Sequence, residues 1–350
     1  MEKAEIPPVV AVVIPCYKVK RQILSVLAGI GPEVARIYLV DDACPEGTGD
    51  FAAAAGADPR LCILRHEANQ GVGGAVMTGY RAAIRDGADI IVKIDGDGQM
   101  NPALIPQFIA PIAEGGADYV KGNRFYDLES LSRMPLMRLI GNAALSFMTK
   151  LSSGYWDLFD PTNGYTAIHA RVAGLLPFAK LSKGYYFESD MLFRLNILRA
   201  CVVDSPMEAV YGDEVSNLRI GRIVFHFARR HALNFLKRIF YTYYLRDFSI
   251  ASLEIALGVP MMLFGGVFGV IKWLAAIETD QASTAGTVML ASLPIIVGLN
   301  LVLAAIGHDI AMTPRRAIHR QLVARSEFVR AIESRVGSSR RDAPEIHRCR

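Results

Sequence analysis

Ile90-Ile91-Val92-Lys93-Ile94-Asp95-Gly96-Asp97-Gly98-Gln99 is a short, β-branched apolar run that stops abruptly in two carboxylates. Such a run reads as a buried strand. In a continuing strand Asp95 and Asp97 would point to opposite faces. A turn through Gly96 and Gly98 instead brings both, with the amide oxygen of Gln99, toward one point. Oxygen donors at the carboxyl end of a buried strand suit Mg2+ or Mn2+ that also holds a phosphate group. On these residues alone, a solvated Asp/Gly turn is the alternative.

The pattern repeats toward the N-terminus. Residues 9–14 form a strand candidate stopped by Pro15-Cys16-Tyr17, followed by a helix-like stretch at 22–30. A second strand, 37–40, ends in Asp41-Asp42. A loop (43–49), an Ala-rich helix (50–57) and a third strand (61–65) follow. Asn69-Gln70-Gly71-Val72-Gly73-Gly74 then leads into a helix at 75–86. This alternation predicts an open α/β, Rossmann-like, mostly parallel sheet, with ligands beyond the carboxyl ends of the strands. Asp42, Asp95 and Asp97 all lie there. Gly71-x-Gly73-Gly74 lacks the GxGxxG spacing and reads as a tight helix entry, so hydride chemistry is not expected.

The 350 residues are 52% hydrophobic, high for a soluble enzyme. Two late stretches account for much of this, 255–277 and 287–306, the second with Asn300 as its only strongly polar side chain. Each is roughly 20 residues, enough to cross about 30 Å of hydrocarbon, and Pro260 and Pro294 are tolerated there. The connector 278–286 is short and acidic, and both outer flanks are basic. The positive-inside rule predicts a hairpin with both chain ends cytoplasmic; two buried helices of a soluble domain are the alternative. Residues 215–246 contain no acidic side chain and seven Lys/Arg. On a helical wheel Arg222, His226, Arg229, Arg230 and Lys237 share one face, and Val224, Ala228, Ala232, Phe235 and Ile239 the other. That suits an interfacial helix on an anionic leaflet, with a solvated basic face as the alternative.

Five scattered cysteines (Cys16, Cys44, Cys62, Cys201, Cys349) without CxxC or His spacing argue against a disulfide framework or zinc site and for a reducing compartment. Residues 1–8 are polar and the apolar run 9–14 is too short for a signal peptide, so the N-terminal part is expected in the cytosol. The net charge of +4 is small, but about ten Lys/Arg against four Asp/Glu lie after Ile310, a basic tail. No nucleic-acid partner is expected.

Four features occur in order: Val13-Ile14-Pro15-Cys16-Tyr17, Leu39-Val40-Asp41-Asp42, Asp95-Gly96-Asp97-Gly98-Gln99 and Asp160-Pro161-Thr162-Asn163-Gly164-Tyr165. Together they resemble the family 2 glycosyltransferases with the GT-A fold. The hairpin makes the dolichyl-phosphate mannose synthase and bacterial polyprenyl-phosphate glycosyltransferase branch the closest match, over roughly residues 9–310. The resemblance implies a nucleotide-sugar pocket at Pro15, Tyr17, Asp41 and Asp42, with Asp42 accepting hydrogen bonds from the base. It implies that Asp95, Asp97 and Gln99 hold Mg2+ or Mn2+ on the donor diphosphate. Gly122-Asn123-Arg124-Phe125 looks like the family's GSRF, whose arginine contacts phosphate, and Arg138, fourteen positions on, matches its partner. Asp160, Glu188 and Asp190 are site carboxylates by the same resemblance, with helix capping the alternative for the last two.

Some positions differ from the family. Lys18-Val19 stands where relatives carry Asn-Glu, and Thr166 where many carry Arg. The TED and QxxRW motifs of processive synthases are absent: neither Trp156 nor Trp273 follows an arginine. The implied activity is inverting transfer of one hexose from a UDP-glucose or GDP-mannose type donor to a polyprenyl phosphate, for cell-envelope glycan or protein glycosylation. Transfer to another lipid such as diacylglycerol, or a non-catalytic sugar-nucleotide-binding subunit, are the alternatives. The implied organisation is a cytoplasmic catalytic domain (1–214), interfacial helices (215–250), two transmembrane helices (251–310) and a basic cytoplasmic tail (311–350). The implied location is the inner membrane, in contact with its lipids; homo-oligomers occur in the branch, and oligomeric state stays open.

Overall fold

The computed structural model describes residues 7–56, 58–126, 136–208 and 220–322, with backbone only at 137, 138 and 220–224. The first elements are β1 (Val10–Cys16), α1 (Ile23–Ala28), β2 (Val34–Asp41), α2 (Thr48–Ala54), β3 (Leu61–Arg65), α3 (Val72–Arg85) and β4 (Ile90–Lys93). They continue as α4 (Ile105–Ala113), β5 (Tyr119–Asn123), α5 (Leu136–Ser153), β6 (Thr166–His169), α6 (Ala170–Gly174), α7 (Phe187–Ile197) and β7 (Val202–Pro206). Among the described residues the strands form one sheet in the order β3-β2-β1-β4-β6-β5-β7. All neighbours are parallel except β6, which runs antiparallel to both β4 and β5. The mostly parallel α/β sheet expected from the sequence is present.

The sheet is covered on both faces, which is why its strands read as continuous apolar runs rather than alternating ones. Val10, Val12, Ile14 and Cys16 of β1 join a core with Ile23, Val26 and Leu27 of α1 and Ile105, Phe108 and Ile112 of α4. The intervening Val13 meets α3 on the other face. A Cβ at Gly79 would stand 2.3 Å from a Val13 methyl, so only glycine lets α3 lie this close.

The chain divides into two compact units, one of residues 1–142, 158–217 and 314–350, the other of 143–157 and 218–313. The first therefore includes the segment after the last long helix. Asp118, fully buried, accepts hydrogen bonds from the backbone N–H groups of Ile318, His319 and Cys201 and pairs with His319 Nδ1 at 2.8 Å. The His319 ring stacks on His169, centroids 4.3 Å apart.

His169 also caps α6, its Nδ1 accepting from Arg171 N. Burial, and then the His319 ring, push its pKa down to about 4. The native state thus keeps His169 neutral between pH 6.5 and 4, where the unfolded chain takes up a proton. Its contribution is complete above pH 6.5 and lost as the pH falls toward 4, at most about 1 kcal/mol per pH unit for a partly exposed ring. His169→Asn keeps a capping acceptor without the titration. Its melting temperature is expected to fall less than that of the native protein between pH 7 and 4.5, and equal slopes would refute this assignment.

The second unit holds α8 (Ile220–Phe240), a π-helical turn (Tyr241–Arg246), α9 (Ile250–Thr279) and α10 (Ala285–Ala311). The last two are long and apolar enough to cross a membrane, and most of the apolar stretch in each is exposed. Such exposure is unlike the core helices of a soluble domain. They meet closely where Gly258 faces Gly298: a Cβ on Gly298 would stand 2.6 Å from the Gly258 carbonyl.

Helix α8 is turned differently from the wheel expectation. Its buried stripe is polar, with His231, Asn234 and Arg238 packed inward, while Phe225, Leu233, Leu236 and Phe240 face outward. Arg229 and Lys237 are exposed beside them, and Phe235 and Ile239 are half-buried. The reason is an inner charge: Asp309 of α10 binds the Arg238 guanidinium, which rotates that side of α8 inward. The side chains of Arg222 and Val224 lie outside the described residues.

Candidate active site

The strand order reverses about β1 and β4, and a cleft of about 510 Å3 opens at their carboxyl ends. Pro15, Tyr17, Asp42, Asp95 and Asp97 line it, five of the residues singled out in the sequence. Cys16, Val19, Asn69, Gly71, Val72, Ala75, Gly96, Gly184 and Tyr185 complete the wall. The turn after β4 uses one glycine conformationally: Gly98 has φ +76°, and the Gln99 N–H donates to Asp97 Oδ1 at 3.0 Å. Gly96 serves by size, since a Cβ there would press on Val19 and Cys16. Asp95 and Asp97 are thereby brought to one cleft; Gln99 is not among its lining residues.

The two carboxylates at the end of β2 divide their work. Asp41 turns inward, 7% exposed, and accepts from Cys44 N and Gly49 N at 2.7 Å each. It shapes the loop into α2 and is not among the cleft-lining residues, unlike Asp42. Asp42 does line it, but its carboxylate is already engaged: Oδ1 by His66 Nδ1 at 2.7 Å and Gln70 N at 2.8 Å, Oδ2 by Gly71 N at 2.8 Å. Each oxygen has two lone pairs, so Oδ2 retains acceptor capacity. Asp42 also pins the glycine loop, where Gly71 has φ +81° and Gly73 N donates to Lys183 O at 2.8 Å. That contact holds the Gly184-Tyr185 wall in place, and Tyr185 is 77% exposed.

The other motifs meet between β5 and the start of β6. Arg124, just past β5, makes a two-pronged ion pair with the fully buried Asp160, Nε to Oδ2 at 2.7 Å and Nη2 to Oδ1 at 3.0 Å. Asn163 Oδ1 accepts from Tyr165 N, closing the turn that starts β6 from the carboxyl edge and makes it antiparallel. Gly164 in that turn lies against Asp95. Across the sheet, Thr166 stands in register between Lys93 and Lys121. Lys121 is fully buried and donates to the Asn163 carbonyl. Burial pulls its pKa down to about 8, with Glu188 and Asp160 partly opposing.

Lys93 was not singled out by sequence, yet it organises the centre. Its ammonium lies 2.8 Å from Asp95 Oδ1 and 3.2 Å from Glu188 Oε1. Burial lowers its pKa, but Asp95 and Glu188 outweigh that and the net shift is upward. A lysine inside an otherwise apolar strand was the available signal, since a fully buried charge needs a partner. Glu188 and Asp160 do not line the cleft. Asp190 accepts from Ser182 N and Arg194. Arg138 lies in the first turn of α5, its side chain outside the described residues.

A family model, glycosyl transferase family 2, matches residues 11–174. The UDP-N-acetylglucosamine–dolichyl-phosphate N-acetylglucosaminyltransferase of Methanococcus voltae is 32% identical over 171 residues, 48% of this chain and 68% of that protein. The undecaprenyl-phosphate mannosyltransferase of Micrococcus luteus is 33% identical over 176 residues, 50% of this chain and 71% of that protein. Among solved structures, glucosyl-3-phosphoglycerate synthase of Mycobacterium tuberculosis with bound UDP superposes with TM-score 0.51 at 20% identity, over 66% of this chain and 80% of that one. The same protein crystallised with Mn2+, UDP and glucosyl-3-phosphoglycerate gives TM-score 0.50 at 19% identity, with the same coverage. These structures establish the GT-A-like fold. With three of the four ordered motifs lining one cleft and two relatives matched over more than two thirds of their length, the chain belongs to glycosyl transferase family 2 and is a glycosyltransferase.

Proposed function

We propose that the chain moves one hexose from a nucleotide diphosphate sugar to a polyprenyl phosphate, with inversion at the anomeric carbon. The observation that carries this is the union of Pro15, Tyr17 and Asp42 with Asp95 and Asp97 in one cleft, in a chain with two helices fit to span a membrane. The first wall suits a nucleoside and the second a diphosphate. The two relatives above are named for polyprenyl-type phosphate acceptors and for different sugars; the proposed donor is of the UDP-glucose or GDP-mannose type.

Asp95 and Asp97 fit Mg2+ or Mn2+. No group of three or more His, Cys, Asp or Glu side chains among the described residues could hold an ion alone. Two cleft-lining carboxylates suit an ion that takes its other oxygens from diphosphate and water. Asp95 and Asp97 would hold such an ion beside the donor diphosphate, where its charge would offset that developing on the leaving group.

The carboxylates bear on the acceptor. A lipid hydroxyl would require a general base, and Asp160, Glu188 and Asp190 were the candidates. Each is held in an ion pair, with Arg124, Lys93 and Arg194 respectively. A phosphate monoester is already anionic near neutral pH and requires no base. Asp160 fixes the orientation of the Arg124 guanidinium through one edge, and a guanidinium so oriented suits a phosphate at its remaining donors; Arg138 would be its partner. The outward Phe225, Leu233, Leu236 and Phe240 of α8, flanked by Arg229 and Lys237, would lie in an anionic leaflet. The proposed location is the cytoplasmic membrane, with the catalytic unit and both termini on the cytoplasmic side.

Purified protein with Mn2+, labelled UDP- and GDP-sugars and either undecaprenyl phosphate or diacylglycerol tests this. A lipid product released by mild acid, formed only with the polyprenyl phosphate, is expected. A mild-acid-stable diacylglycerol glycoside, or nucleotide-sugar hydrolysis without lipid product, would overturn the reading.

A further inference from the structure

Lys93, Asp95 and Glu188 form a buried group of one positive and two negative charges. The Lys93 side chain is 2% exposed, Glu188 12% and Asp95 28%, and of the three only Asp95 lines the cleft. Asp95 Oδ1 is taken by the ammonium at 2.8 Å. Its Oδ2 lies against Gly164, where a Cβ would come within 2.4 Å of that oxygen and 2.5 Å of Lys93 Nζ. Asp95 is therefore held from two sides: the lysine fixes one oxygen, and a turn that only glycine can close limits the other.

We infer that Glu188 is a positioning residue that acts through Lys93 on Asp95, setting the orientation and the residual charge of the carboxylate at the cleft. This rests on the reading of Asp95 as a metal ligand. Alone with Asp95, a buried ammonium would neutralise the carboxylate and weaken its hold on a divalent cation. Glu188 takes a share of the lysine's charge, so Asp95 keeps more of its own. The second carboxylate also satisfies another Nζ proton and so removes the ammonium's freedom to swing. Glu188 is paired with Lys93 and does not line the cleft, which suits a positioning role rather than that of a base or a ligand.

Glu188→Gln keeps an oxygen for Lys93 and removes the charge. Full-length protein in detergent is titrated with Mn2+ in the presence of UDP and, separately, GDP, following free Mn2+ by electron paramagnetic resonance. The Mn2+ dissociation constant is expected to rise roughly 10-fold to 100-fold, as for loss of a group supporting a metal ligand. The Mn2+ concentration for half-maximal transfer should rise in parallel, with kcat at saturating Mn2+ falling far less. Glu188→Asp, charged but shorter, should fall between the native protein and the Gln variant. Native-like Mn2+ affinity in every folded variant overturns the inference, whether kcat is retained, as for a purely structural role, or lost at all Mn2+ concentrations, as for a general base. If the native protein itself binds no Mn2+ with either nucleotide, the metal reading fails and the inference fails with it.

Discussion

Asp95→Ala is expected to lower sugar transfer on the order of 10³-fold, the scale for removing a charge-stabilising element of an active site. The loss should fall on kcat, because Asp95 acts where charge develops on the departing diphosphate. Folding should survive, because Lys93 keeps Glu188 as a partner when Asp95 is removed. Asp95→Asn is the isosteric control, retaining an acceptor for Lys93 without the charge. Initial rates across a Mn2+ series, with a melting curve for each variant, check the result. Activity within tenfold of native in the presence of EDTA would remove Asp95 from any metal role.

Asp309→Ala is expected to produce the largest stability loss. Asp309, 8% exposed, is the hub of the helical unit. It accepts from Arg238 Nη1 at 2.6 Å and Nη2 at 3.0 Å, from Trp156 Nε1 at 2.8 Å and from Tyr243 OH at 2.6 Å. Three segments of the unit thus converge on one carboxylate of α10, beside an apolar cavity of about 520 Å3. Its removal strands the Arg238 guanidinium, 1% exposed, without a counter-charge. Breaking a buried pair in this way costs about 3–5 kcal/mol, which for a unit of this size is roughly 10 °C or more in melting temperature. The double variant Arg238→Met/Asp309→Leu replaces the pair with apolar groups of similar size and should recover most of the loss. Melting curves in detergent decide between the outcomes. A double variant no better than Asp309→Ala would show that the pair's hydrogen bonds to Trp156, Tyr243 and the Leu151 carbonyl dominate, rather than the stranded charge.

The two effects separate function from architecture. Asp95 sits at the rim of the sheet, partly exposed, where its loss removes chemistry and leaves packing. Asp309 sits inside the helical unit, where its loss removes packing. Acid sensitivity through His169 lies elsewhere again, at the contact between α6 and the segment carrying His319.

Local pattern was enough for much of this molecule. Apolar β-branched runs ending in Pro15, Asp42 and Asp95 made strand ends, and strand ends in an open α/β sheet are where ligands bind. Two uninterrupted apolar stretches made the long helices, because length and hydropathy are properties of the chain itself. The ordered motifs identified the family. Partner choice lay beyond the sequence. Which of Asp41 and Asp42 faces the cleft depends on backbone N–H groups of the following loops. Lys93 finds Glu188 across 95 residues, and Asp118 finds His319 across 201. The face of α8 that turns inward is set by Asp309 on another helix, against the wheel's own division. Periodicity records which side chains avoid water; it does not record where a buried charge finds its counter-charge. Burial makes that pairing obligatory, and only the folded chain supplies the partner.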